Sequence, residues 1–159
     1  MKWFDGAHHL RQGFTLVEIM VVISLMAILA GTGIAGYRNS ARKQAVEVAA
    51  QKLISALRKA QVNAAAGVKE GCAGTLTGWQ VNVSANSYTI EGLCGVTTFN
   101  SRTENYTGAS VTVFPSPNPI LFKVLNQGTN IIGSTTVTLG VTGISYTRNV
   151  KVLWTGQIE

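Results

Sequence analysis

The chain has 159 residues, 46% of them hydrophobic, and thirteen basic against seven acidic residues give a formal charge of +6. That length holds one small domain and one membrane segment with little left over. Its histidines, His8 and His9, and its aspartate, Asp5, all precede Gly13. The chain beyond that glycine therefore lacks the parts of a Ser-His-Asp triad, a histidine metal site or an aspartyl dyad. The six scattered glutamates disfavour a dedicated calcium cage. No catalytic residue, metal site or cofactor is expected, and the chain does not read as an enzyme.

Met1 to Gly13 carries Lys2 and Arg11 against Asp5 and is too short and polar to fold, so it reads as a targeting leader. An apolar run follows from Phe14 to about Gly36, long enough to span a bilayer as a helix. It holds one charge, Glu18, placed in the second turn of the expected helix. A carboxylate in hydrocarbon costs roughly 2.5 to 3.5 kcal/mol at mid-membrane and less near the interface, so a partner for it is expected. The glycines Gly31, Gly33 and Gly36 either weaken the end of this span or allow close helix packing.

A basic leader ending in Gly13, followed by Phe14-Thr15-Leu16-Val17-Glu18, resembles the type III signal of type IV pilins and type II secretion pseudopilins. The resemblance implies that a prepilin peptidase cleaves after Gly13, that the new N-terminal Phe14 is methylated, and that Glu18 is an assembly contact with a neighbouring subunit. It also implies orientation, with the leader cytoplasmic and the remainder crossing the inner membrane. Basic residues alone do not decide this, because Arg38, Arg42 and Lys43 outnumber the bases of the leader.

From Arg38 the helix should continue to about Ala66. Val46, Ala49, Leu53, Leu57, Ala60 and Ala64 recur at three- and four-residue steps as a core stripe, and Gly67 supplies a stop. Arg38, Arg42, Lys43, Lys52, Arg58, Lys59 and Lys69 face only Glu47 over this region. Such a basic helix suits either a solvated face with juxtamembrane anchors or contact with nucleic acid or anionic headgroups.

Past Gly71 the composition turns to Gly, Thr, Asn, Ser and Val, and strands become the better reading. Trp79–Val83 and Tyr88–Glu91 form a hairpin across Ser84–Ser87. Val96–Phe99 and Val111–Phe114 follow, Ser116-Pro117-Asn118-Pro119 breaks the pattern, and Ile120–Val124, Thr135–Val141 and Ile144–Trp154 complete a sheet. Gly143 marks a turn. Trp79 and Trp154 read as packing anchors. Cys72 and Cys94 form an even pair in an exported chain and read as one disulfide, whose loop of about 23 residues adds roughly 3 kcal/mol.

The expected fold is thus α+β and pilin-like: a leader (1–13), a transmembrane half-helix (14–37), an amphipathic half-helix (38–67) and an antiparallel β head (68–159). Leu57–Gln61, Trp79-Gln80-Val81, Phe122, Gly128, Val137-Thr138-Leu139, Val150-Lys151-Val152 and Gly156 are similar to the H-type minor pseudopilins and FimT-like minor pilins. That resemblance implies a minor subunit that joins, primes or caps a type II secretion pseudopilus or a type IV pilus, with other pilin subunits as partners. One FimT-like subgroup binds DNA through a C-terminal Gly-Arg-x-Arg. Here the tail reads Gly156-Gln157-Ile158-Glu159, which removes both arginines and adds a negative charge. A head that binds nucleic acid or a surface ligand stays as the alternative, with Arg102, Lys123, Arg148 and Lys151 as its bases. A third reading is a conventional signal cut near Gly33-Ile34-Ala35, which Glu18 opposes.

Overall fold

A computed structural model describes residues 13–159, apart from the side chains of residues 32–35, and falls into two compact units that divide after Arg38. The expected leader, apart from Gly13, lies outside the described residues. One helix, α1 (Leu16–Ala65), begins in the first unit and ends in the second. It passes uninterrupted through the expected weak glycines. It stops where Gly67 takes a left-handed φ of 65°, with Gly67 N–H donating to Ala64 O (3.2 Å) and Val68 N–H to Asn63 O (3.0 Å). This paired closure satisfies carbonyls that a helix end otherwise leaves orphaned.

In the second unit seven strands follow: β1 (Leu76–Val83), β2 (Ser87–Cys94), β3 (Thr97–Asn105), β4 (Ser110–Val113), β5 (Ile120–Lys123), β6 (Ser134–Gly140) and β7 (Thr147–Leu153). They form two antiparallel sheets, β3-β2-β1-β5 and β4-β6-β7, in place of the single sheet expected. The division has a backbone cause. Beyond β1, the other edge of β5 is occupied by its own returning loop, through Lys123 N–H to Gly128 O (2.9 Å), Asn130 N–H to Leu121 O (3.1 Å) and a Phe122–Thr129 bridge. No edge of β5 is left for β6, which pairs with β4 and β7.

Two asparagines stand in for missing strand. The Asn118 side chain accepts from Val83 N–H (3.0 Å) and donates to Val83 O (2.8 Å), while Asn130 accepts from Leu121 N–H (2.9 Å) and donates to Pro119 O (3.0 Å). Their amides supply the donor and acceptor that proline-broken backbone cannot.

The head has one core. The stripe Val46, Ala49, Leu53, Leu57, Ala60 and Ala64 is buried as expected, joined by Ala50 and Ala56. Against it lie the inward residues of alternating strands, among them Trp79, Val81, Ile90, Ile120, Leu139, Val150 and Val152. The run of alanines on the helix is what small side chains permit, a close seat for the helix. Trp79 is buried and donates its indole N–H to Val68 O (2.8 Å), whereas Trp154 is 59% exposed and is no packing anchor. Position explains the difference: Trp154 follows the end of β7, past the last inward residue of that strand.

Candidate functional site

The first helical turn assembles around Thr15. Its hydroxyl accepts from Glu18 N–H (3.2 Å) and its carbonyl accepts from Ile19 N–H (3.2 Å), so Thr15 caps the helix at its start. Because the helix starts at Leu16, Glu18 sits in the first turn, one turn earlier than expected from a helix begun at Phe14. Thr15-x-x-Glu18 is the spacing of a capping box, a signal present in the sequence and overlooked there. The carboxylate also lies at the helix end that favours negative charge. Neither of the two ion pairs among the described residues involves Glu18.

Around that turn nothing is covered. Gly13 has open space about its α-carbon and Phe14 is 77% exposed. From Leu16 to Leu29 the large apolar side chains point to every side of the helix, and all are exposed. The most apolar 18-residue window has mean hydropathy 2.2 and none of it is buried, so the helix is long and apolar enough to cross a membrane. Ser24, the polar interruption, donates to Met20 O (2.8 Å) and so satisfies its own hydroxyl within the helix. Gly13, Phe14 and Glu18 are therefore brought together on one accessible helix end.

The second unit holds two polar clusters. On the helix, Glu47 accepts from the Tyr146 hydroxyl and lies 3.8 Å from Arg148, while the Lys43 ammonium stands 5.8 Å over the Tyr146 ring. The bond to Glu47 raises the Tyr146 phenol above its ordinary value. Between the sheet and the other side of the helix, Tyr88 donates to Glu104 (2.9 Å) and Arg102 pairs with the same carboxylate (2.8 Å). Burial first, and then Glu104, push the Tyr88 phenol up to about 12. The Tyr88 hydroxyl, with Arg102, holds Glu104 below the usual carboxylate range. Burial also raises the Tyr106 phenol, whose oxygen has no hydrogen-bond partner among the described residues.

The four head bases named from sequence do not gather. Arg102 is on β3 and Lys123 on β5 of one sheet, whereas Arg148 and Lys151 are on β7 of the other. On β7, Arg148 shares a face with the buried Val150 and Val152, and Lys151 points to the opposite face. The tail lies along β7, with Glu159 N–H donating to Lys151 O and Lys151 N–H to Glu159 O, both at 2.9 Å. Cys72 and Cys94 are joined as a disulfide with Cα atoms 5.6 Å apart, tying the segment after the helix to the end of β2.

Residues 9–34 match the family model described as the prokaryotic N-terminal methylation motif. The chain is 53% identical over 36 residues to "Prepilin peptidase-dependent protein D" of Escherichia coli (strain K12), an alignment covering 23% of this chain and 25% of that relative. It thus spans about a quarter of the length of the curated relative it matches. No solved structure gives a significant match. The family-model match falls on residues 9–34, and the head enters through its layout alone: the N-terminal segment carries a prepilin-type methylation motif, and the long helix followed by antiparallel sheets is the α+β arrangement of pilin-like proteins.

Proposed function

We propose that this protein is a pilin or pseudopilin subunit: prepilin peptidase cleaves between Gly13 and Phe14, Phe14 is N-methylated, and the processed chain enters a filament. The proposal extends to an inner-membrane anchor with the head in the periplasm, and to a minor role that joins, primes or caps a secretion pseudopilus or type IV pilus. The supporting observation is Gly13–Glu18 itself, an accessible glycine and a charged first turn heading an apolar stretch whose large side chains are exposed from Leu16 to Leu29.

Glu18 gives the helix a reason to find a neighbour. In lipid its charge is unfavourable alone, and an ammonium on an adjoining subunit's N-terminus offsets that penalty only in the assembled state. Capping alone predicts otherwise, because the cap that forms joins the Thr15 hydroxyl to the backbone N–H of residue 18, which both substitutions keep. Glu18→Ala and Glu18→Gln should both leave processing and membrane insertion intact and lower the fraction recovered in sheared filaments. Thr15→Ala should cost the helix start about 1 kcal/mol and spare incorporation. Normal incorporation of both Glu18 variants would sink the docking role.

A further inference from the structure

Sheet width against helix width leaves a gap in the head. A four-stranded sheet spans more than one helix can cover, given strand spacing near 4.8 Å and a helix about 10 Å across. The strand left over is β3, at the edge of its sheet and without a single buried residue. Between α1 and the inner face of β3 runs a groove made of two adjoining cavities of about 450 and 220 Å³, which share Lys59, Ile90 and Arg102.

The wall of this groove is built by a bulge. Gly92 pairs with Phe99 and Ile90 with Arg102, so β3 carries one residue more than β2 between these pairs. Asn100, inside the bulge, adopts a left-handed φ of 49° and is held by donating to Glu70 O (3.0 Å). Strict alternation from Phe99, whose ring lies edge-on to buried Trp79, would turn Arg102 outward. The extra residue instead brings Arg102 opposite inward-facing Ile90, and Glu104 opposite Tyr88.

Across the groove, Lys52 and Lys59 are seven residues apart and so share a helix face. The cations lining the groove are Lys52, Lys59 and Arg102, and its one carboxylate, Glu104, is engaged by Arg102 and Tyr88. Lys59, common to both cavities, is in neither of the ion pairs among the described residues. The groove is therefore net positive, with Asn63, Asn100 and Ser101 as neutral polar lining.

We propose that this groove receives an extended acidic segment of a partner protein, paired along the free edge of β3 with its carboxylates turned toward Lys59 and Arg102. The charge balance selects an anionic occupant. The form of the site selects a peptide: a narrow cleft beside an exposed strand edge offers backbone donors and acceptors, and an added strand presents alternate side chains to the basic face. The inference stands on the head alone and does not rest on leader processing.

The test is fluorescence anisotropy on the full chain in detergent micelles, with a labelled Thr-Glu repeat decapeptide as probe. A Thr-Lys repeat of equal length and an oligothymidylate serve as competitors. The Thr-Glu probe should bind in a salt-sensitive manner. Lys59→Glu and Arg102→Gln should each weaken it, the charge reversal by about tenfold. Lys151→Glu, on the other sheet's outward face, should leave it unchanged. Lys59 and Arg102 are exposed, and unchanged circular dichroism of Lys59→Glu and Arg102→Gln guards against misfolding. Absence of probe binding, equal loss with Lys151→Glu, equal binding of the Thr-Lys repeat, or tighter competitive binding of oligothymidylate would each overturn the proposal.

Discussion

Tyr88 is the residue whose surroundings make the sharpest statement about pH. Its phenol is pushed up to about 12 by burial and by the carboxylate of Glu104. In the unfolded chain a tyrosine ionises near 10. Below that value the phenol is protonated in both states and its contribution to stability is complete. Between about 10 and about 12 the unfolded state loses its proton first, so the native state is progressively disfavoured. Unfolding followed in alkaline buffers should show stability falling across this window. Tyr88→Phe should flatten the fall, and an unaltered slope in that variant would assign it elsewhere. The neighbouring Glu104 has the opposite sign: its depressed carboxyl favours the fold above the ordinary carboxylate range and ceases to do so as pH drops.

Among the elements, α1 carries the most explicit packing requirement. Leu53 and Leu57 are fully buried, and the positions beside them on the core face are alanines, including Ala50 at 1% and Ala56 at 4% exposure. Leu53→Ala should destabilise the head by about 2–5 kcal/mol through lost burial and a residual cavity. Ala50→Leu should cost about 1–3 kcal/mol by the opposite route, since the helix is seated too close for three extra carbons. Chemical denaturation of the detergent-solubilised chain measures both. A near-neutral Ala50→Leu would show that the helix seat is looser than its burial indicates. The stripe was readable because a 3.6-residue period survives in the order of residues. Every strand was likewise detectable from its run of β-branched and aromatic residues, but the extent of β3 was not. Asn100 to Asn105 carry no apolar alternation, because the helix does not cover that strand and nothing selects for it. Sheet membership was also hidden: what separates the sheets is the loop pairing back onto β5 and two asparagine side chains, interactions between strand residues and loop residues that carry no strand pattern.

At the level of the whole molecule, the division of labour follows the burial. Residues Phe14–Leu29 supply an exposed apolar surface, and the second unit supplies its own core, closed by a disulfide. The prepilin-type motif was legible because it is a short fixed register of residues, and the family model matches it over residues 9–34. Exposure of Trp154 and the dispersal of Arg148 and Lys151 were not, because strand ends and strand faces emerge only once the register is known. The claim on which the proposed function depends is that Phe14 becomes the mature N-terminus of a filament subunit. Mass spectrometry of the protein recovered from membranes, with Gly13→Leu as the processing-deficient control, tests it most directly. The account requires a chain beginning at N-methylated Phe14 in the parent and an uncleaved leader in the variant. A mature chain beginning near Gly36, or an intact leader in the parent where prepilin peptidase is active, would contradict it.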